Sequence, residues 1–78
     1  MKTVDFMQIL KEALDFQQIN FSPETNLKAI DGFDSMSIMT IIAIVDEHFS
    51  KKLTARQLAS ITTVGSLIEL IGKEKFVD

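Results

Sequence analysis

The sequence predicts an all-α fold, a four-helix bundle of three main helices and one short helix, with a long loop after the first. Three observations lead there. Apolar residues recur at helical spacing in three separate segments. A Ser, Thr or Asp stands where each helix would begin, and its side chain can accept from unpaired backbone N–H groups. The one β-branched run finds no second strand in the chain to pair with.

Residues 4–16 place Phe6, Leu10, Ala13 and Leu14 on one face, with Met7 and Ile9 widening the stripe. Thr3 is the expected N-cap, and Asp5 suits the positive end of the helix dipole. From Gln17 to Asp34 the periodicity fades into turn formers: Asn20, Pro23, Asn26, Asp31 and Gly32. Ser22-Pro23-Glu24 is placed to open a short helical turn, with Leu27 and Ile30 as the core anchors of the loop. Loops of this length in small domains are usually functional.

Ser35 to Phe49 contains Ile38-Met39-Thr40-Ile41-Ile42-Ala43-Ile44-Val45, whose composition suits a buried strand. The uninterrupted segment is too long for a typical strand, and Asp34 or Ser35 makes a good cap, so a helix is predicted. Thr54-Ala55-Arg56-Gln57 has capping-box spacing and opens the short helix, which carries Leu58 and leads to Ile61. Thr63 caps a last helix with Val64, Leu67, Ile68 and Ile71 on one face, and Gly72 ends it. Lys73-Glu74-Lys75 is expected to fray. The core predicted from these faces is Leu10, Leu14, Leu27, Ile30, Ile42, Val45, Phe49, Leu58, Ile61, Leu67, Ile68 and Ile71.

Seventy-eight residues, 46% of them hydrophobic, suffice for one core, so residues 1–78 are expected to form a single domain. With no Cys and one His, disulfides, thiolate metal sites and most nucleophile–base pairs are excluded. A calcium loop is excluded too. Counted from Asp31, the glycine comes second rather than sixth, and Ile42 stands where the twelfth-position Glu belongs. No metal site is expected.

The net charge is −3, and it is unevenly placed. No Lys or Arg lies between Lys28 and Lys51, an interval that holds Asp31, Asp34, Asp46 and Glu47. That distribution argues against nucleic acid and for a basic protein partner. The N-terminus lacks the pattern of a signal peptide, and no apolar run approaches the ~20 residues that cross a bilayer. A cytoplasmic monomer with no membrane span is expected, in which the glycosylation-like triplet Asn20-Phe21-Ser22 is an accident of sequence.

The stretch that can carry chemistry is Gly32-Phe33-Asp34-Ser35-Met36, where the long loop meets the second helix. A hydroxyl at Ser35 would sit at the positive end of that helix, where an attached phosphate gains from the dipole and from unpaired N–H groups. Gly32 lets the loop turn sharply first. An Asp-Ser pair before an apolar run is equally how an ordinary helix begins. A catalytic serine is a poor third reading. Its only candidate base, His48, would lie about 20 Å along the same helix, and the glycine of a nucleophile elbow is missing after Ser35.

Asp34-Ser35-Met36, the following helix ending in Asp46-Glu47-His48-Phe49, and Ile61-Thr62-Thr63-Val64 before the last helix resemble the acyl carrier proteins over nearly the whole chain. That family usually has Asp-Ser-Leu at the first of these. The resemblance implies an acyl-carrier-like bundle that is not itself an enzyme. Its cofactor would be 4′-phosphopantetheine, moved from coenzyme A to Ser35 by a phosphopantetheinyl transferase, with Asp34 and Met36 as the flanking motif. Acyl groups would ride on the arm as thioesters, presented to acyl-loading, condensing or acyl-transferring enzymes.

Ser37 and Thr40 stand where fatty-acid carriers commonly have acids, and the Gly32-Phe33-Asp34-Ser35-Met36 stretch looks more like stand-alone carriers of specialised pathways, polyketide-type ones included. A peptidyl or D-alanyl carrier is the neighbouring alternative, and an unmodified helical interaction module the more distant one. The partner surface is expected on the second helix, around Met36, Met39, Ala43, Asp46 and Glu47. This helix is apolar over more of its circumference than one core-facing stripe requires.

Overall fold

In the computed structural model, which describes residues 1–15 and 21–77, the chain forms four α-helices: α1 (Thr3–Ala13), α2 (Ser35–Phe49), α3 (Ala55–Ser60) and α4 (Val64–Ile71). Single 3-10 turns follow at Leu27–Ala29 and Lys73–Lys75. The helices start where their caps are. Asp34, Thr54 and Thr63 each accept from backbone N–H groups of the turn they open, and both Asp34 and Thr54 form reciprocal capping boxes. The start of α1 differs from expectation. Thr3 is its first helical residue, Lys2 is the N-cap, and no side chain caps the end.

The far end of α1 also differs, since it closes at Ala13 rather than running to residue 16. The Leu14 N–H still donates to the Leu10 carbonyl at 2.9 Å, but Asp15 takes a left-handed conformation with φ of 61°. Phe16 to Asn20, including the first part of the glycosylation-like triplet, lie outside the described residues. Ser22-Pro23-Glu24 makes one turn, with the Thr25 N–H on the Ser22 carbonyl at 3.0 Å, and does not open a helix. The short helical turn comes later, at Leu27, where the Asn26 side chain accepts from the Lys28 N–H at 3.0 Å.

The loop is fastened to the start of α4 by three backbone hydrogen bonds. The Leu27 N–H donates to the Thr62 carbonyl, the Val64 N–H to Thr25 and the Gly65 N–H to Pro23, at 2.8, 3.0 and 2.8 Å. Gly65 makes this approach possible, because a Cβ there would lie 3.1 Å from the Pro23 carbonyl oxygen.

The core joins Phe6, Leu10 and Leu14 of the first helical segment with Leu27 of the loop. Ile41, Ile44 and Val45 of α2, Leu53, Leu58 and Ile61 around α3, and Val64, Leu67, Ile68 and Ile71 of α4 complete it. Three predicted members, Ile30, Ile42 and Phe49, are only half-buried against its edge. In α2 the buried line runs through Ile41 and Ile44 rather than Ile42, a rotation of about 100° for each residue of phase.

Lys73-Glu74-Lys75, expected to fray, forms a 3-10 turn. Gly72, with φ of 119°, ends α4. The 3-10 turn then delivers Phe76 against Phe6 and Phe49, with ring centroids 5.3 and 5.1 Å away. Its neighbour Val77 donates to the Met1 carbonyl at 2.9 Å, so the two ends of the described chain lie side by side. Lys51 reaches the last carbonyls of α4, with its Nζ 3.2 Å from Leu70 and 2.9 Å from Ile71, where a cation complements the helix dipole.

Candidate functional site

Phe33 packs half-buried on the core two residues before α2, and its N–H donates to the Ile30 carbonyl at 3.1 Å. Between these anchors Asp31 and Gly32 bow outward, exposed, with Gly32 at φ 90°. Asp34 follows in extended conformation and turns its carboxylate back onto the helix, accepting from the Met36 and Ser37 N–H groups at 3.1 Å each. Ser35 is therefore the first residue of α2. Its side chain is exposed, and its hydroxyl has no hydrogen-bond partner among the described residues.

One expectation needs correction. The N–H groups of Met36 and Ser37 are not open to a phosphate on Ser35, because the Asp34 carboxylate already takes both. The helix dipole still favours an anion here, but a carboxylate stands beside it. A phosphodiester on Ser35 fits as a group carried outward into solvent, with no side-chain hydrogen bond among the described residues to displace.

The chain has six serines, and their surroundings differ sharply. Ser22 is half-buried, with its hydroxyl 3.2 Å from that of Thr25, and Ser37 is buried. The hydroxyl of Ser60 donates to the Gln57 carbonyl at 2.7 Å, and that of Ser66 lies 2.9 Å from the Thr63 hydroxyl. Only Ser35 and Ser50 present an exposed hydroxyl without a partner among the described residues. Ser50 is the left-handed C-cap of α2, at the end where the dipole repels a phosphate. Ser35 occupies the opposite, favourable end.

Met36, Met39, Ala43, Asp46 and Glu47 are all exposed and follow one another at helical spacing along a single face of α2. The two methionines keep 73% and 69% of their surface in solvent, far more than core filler would. His48 is exposed at the other end of the helix that begins with Ser35, so the two do not meet. Among the described residues no cluster of three His, Cys, Asp or Glu side chains is placed to hold a metal ion, and no helix is long and apolar enough to cross a membrane. A surface groove of about 360 Å³ lies between Thr3, Pro23, Ile68 and Phe76 and is lined neither by Ser35 nor by Met36, Met39, Ala43, Asp46 or Glu47.

Sequence reasoning missed Ser37, the one buried polar side chain among the described residues. The available signal was the Asp34-x-x-Ser37 spacing, which pairs an N-cap with a side chain able to reach back to it.

The family model described as a phosphopantetheine attachment site matches residues 5–71, from the first turn of α1 to the end of α4. No curated protein and no solved structure matches the chain.

Proposed function

Because the chain belongs to the phosphopantetheine attachment-site family, we propose that it is an acyl carrier in which Ser35 takes the 4′-phosphopantetheine arm of coenzyme A. Members of this family bear the arm covalently and do not catalyse reactions themselves. The observation that carries the assignment to Ser35 is the contrast among the serines. Ser35 alone combines an exposed, uncommitted hydroxyl with the positive end of a helix longer than two turns. The match extends to residue 71 and Phe76 packs on the same core, which supports one carrier domain over the whole chain.

In loading, the Ser35 oxygen attacks the pyrophosphate of coenzyme A. A phosphorus–oxygen bond forms at Ser35, the pyrophosphate bond breaks, and the nucleotide bisphosphate leaves. The hydroxyl proton passes to a base of the transferase, whose magnesium ion offsets the charge on the phosphates. Asp34 holds the first turn of α2 in place while this happens. When bound, the arm supplies the thiol on which acyl groups ride as thioesters. The Met36–Glu47 face is the surface offered to the transferase and to acyl-handling enzymes, with adaptable methionines near the arm and acids farther along for a basic partner.

Incubation with coenzyme A and a broad-specificity transferase should add one arm, read by intact mass. Ser35→Ala should take up none, whereas Ser50→Ala should load as wild type does. A wild type left unmodified by several transferases, or a Ser35→Ala chain that still loads, overturns the assignment.

A further inference from the structure

No described residue holds the exposed Ser35 side chain by a hydrogen bond, so its position is inherited from the backbone on either side. That backbone is gathered by Ser37. The Ser37 Oγ lies 3.4 Å from the Asp34 nitrogen, 3.3 Å from the Asp34 Oδ1 and 3.5 Å from the Gly32 carbonyl oxygen, and the Ser37 N–H donates to the same Oδ1 at 3.1 Å. The contacts of the hydroxyl are long and individually weak, but three of its neighbours converge on one oxygen. The side chain is 7% exposed, so water competes little for them.

The other two side-chain pairs that close a helix start here reach no farther than the cap. Gln57 answers Thr54, and Ser66 answers Thr63. Ser37 alone reaches past its cap to Gly32, the positive-φ residue where the long loop turns. A hydroxyl also does this without adding a second negative charge beside Asp34 and the incoming phosphate.

Resting on the reading of Ser35 as the attachment residue, we propose that Ser37 is a positioning residue for loading. Its buried hydroxyl locks the Gly32–Asp34 turn to the first turn of α2 and so sets where the Ser35 oxygen meets coenzyme A. In-line attack tolerates little error, since a displacement of about 1 Å can lower a rate by about a hundredfold.

The test is steady-state loading by a transferase at saturating coenzyme A, with carrier varied and rates expressed per folded carrier by circular dichroism. For Ser37→Ala, kcat should fall about tenfold, the equivalent of about 1.4 kcal/mol. KM for the carrier should stay within about twofold, because the docking face is untouched. Ser37→Thr, which keeps the hydroxyl, should restore most of kcat. If the added methyl prevents folding, Ser37→Cys takes its place, with a kcat between those of alanine and wild type. An unchanged kcat in Ser37→Ala, or a kcat loss that neither hydroxyl nor thiol relieves, overturns the inference. A wild type that takes up no arm overturns the carrier reading and this inference together. A wild type that loads beside an unaffected Ser37→Ala overturns this inference alone.

Discussion

Phe6, on the first turn of α1, meets Phe49, the last residue of α2, edge to face, with ring centroids 5.6 Å apart and planes at 73°. The two are unequal partners. Phe6 is fully buried, whereas Phe49 lies half-buried at the rim. Phe6→Ala should destabilise the domain by about 3–5 kcal/mol, enough to unfold most of a chain this small. Phe49→Ala should be milder, at about 2 kcal/mol, because less of the ring leaves an apolar environment. Urea titration followed by circular dichroism checks the order, and a Phe49 loss equal to that of Phe6 would contradict the burial difference.

Phe76 completes the cluster from the other end of the chain. Phe76→Ala should cost roughly 1–2 kcal/mol in the same titration, by the area it removes from the contact. Arm uptake at Ser35 should be unchanged while the protein stays folded, because α2 alone separates the two sites by about 20 Å. A slowed loading rate in folded Phe76→Ala would mean that the two ends of the bundle are coupled.

Asp34 has two separable roles at the head of α2, bond acceptor and charge. Asp34→Ala removes the acceptor for two N–H groups and should cost about 1–2 kcal/mol. Asp34→Asn keeps an oxygen there and should recover most of that stability. Thermal melts of the three proteins decide it. If asparagine is as unstable as alanine, the carboxylate charge rather than the cap is what matters.

On the face proposed for partners, the double reversal Asp46→Lys with Glu47→Lys should slow modification strongly at low ionic strength. The difference from wild type should narrow as salt screens the attraction, the Debye length shrinking from about 30 Å at 0.01 M to about 10 Å at 0.1 M. The assay is the initial rate of arm uptake across that range. Equal rates in a variant with native circular dichroism would remove these acids from the interface.

The starts of α2, α3 and α4 were legible because a cap is a local matter: Asp34, Thr54 and Thr63 each act on backbone no more than three residues away, whereas α1, which has no side-chain cap, gave no such signal. The exposed face from Met36 to Glu47 was legible for a related reason, since a helix apolar on most sides exceeds what one small core can cover. That same apolarity hid the phase of α2. With Ile38, Met39, Ile41, Ile42, Ala43, Ile44 and Val45 in one run, no polar side marks the outside, and Ile42 took the place of Ile41. Phe76 was missed because its partner Phe6 lies at the opposite end of the chain, where neither periodicity nor spacing reaches. Ser37 was missed because a serine inside an apolar helix reads as a gap in the stripe, and only the turn before it shows what it holds.

The hydrogen bond from Val77 to Met1 has a topological consequence. Since the first and last described residues already touch, a peptide linker of a few residues would make the chain a ring without displacing a helix. The ring would restrict the denatured ensemble alone, so its gain in stability would come from entropy withheld from the unfolded chain. The ring could then be reopened in the short link between α2 and α3, giving a permuted protein that begins near Leu53 and keeps Ser35 inside an unbroken segment. Native circular dichroism and arm uptake in that permuted protein would show that the arrangement of the helices, and not the order in which they are synthesised, is what the proposed loading requires.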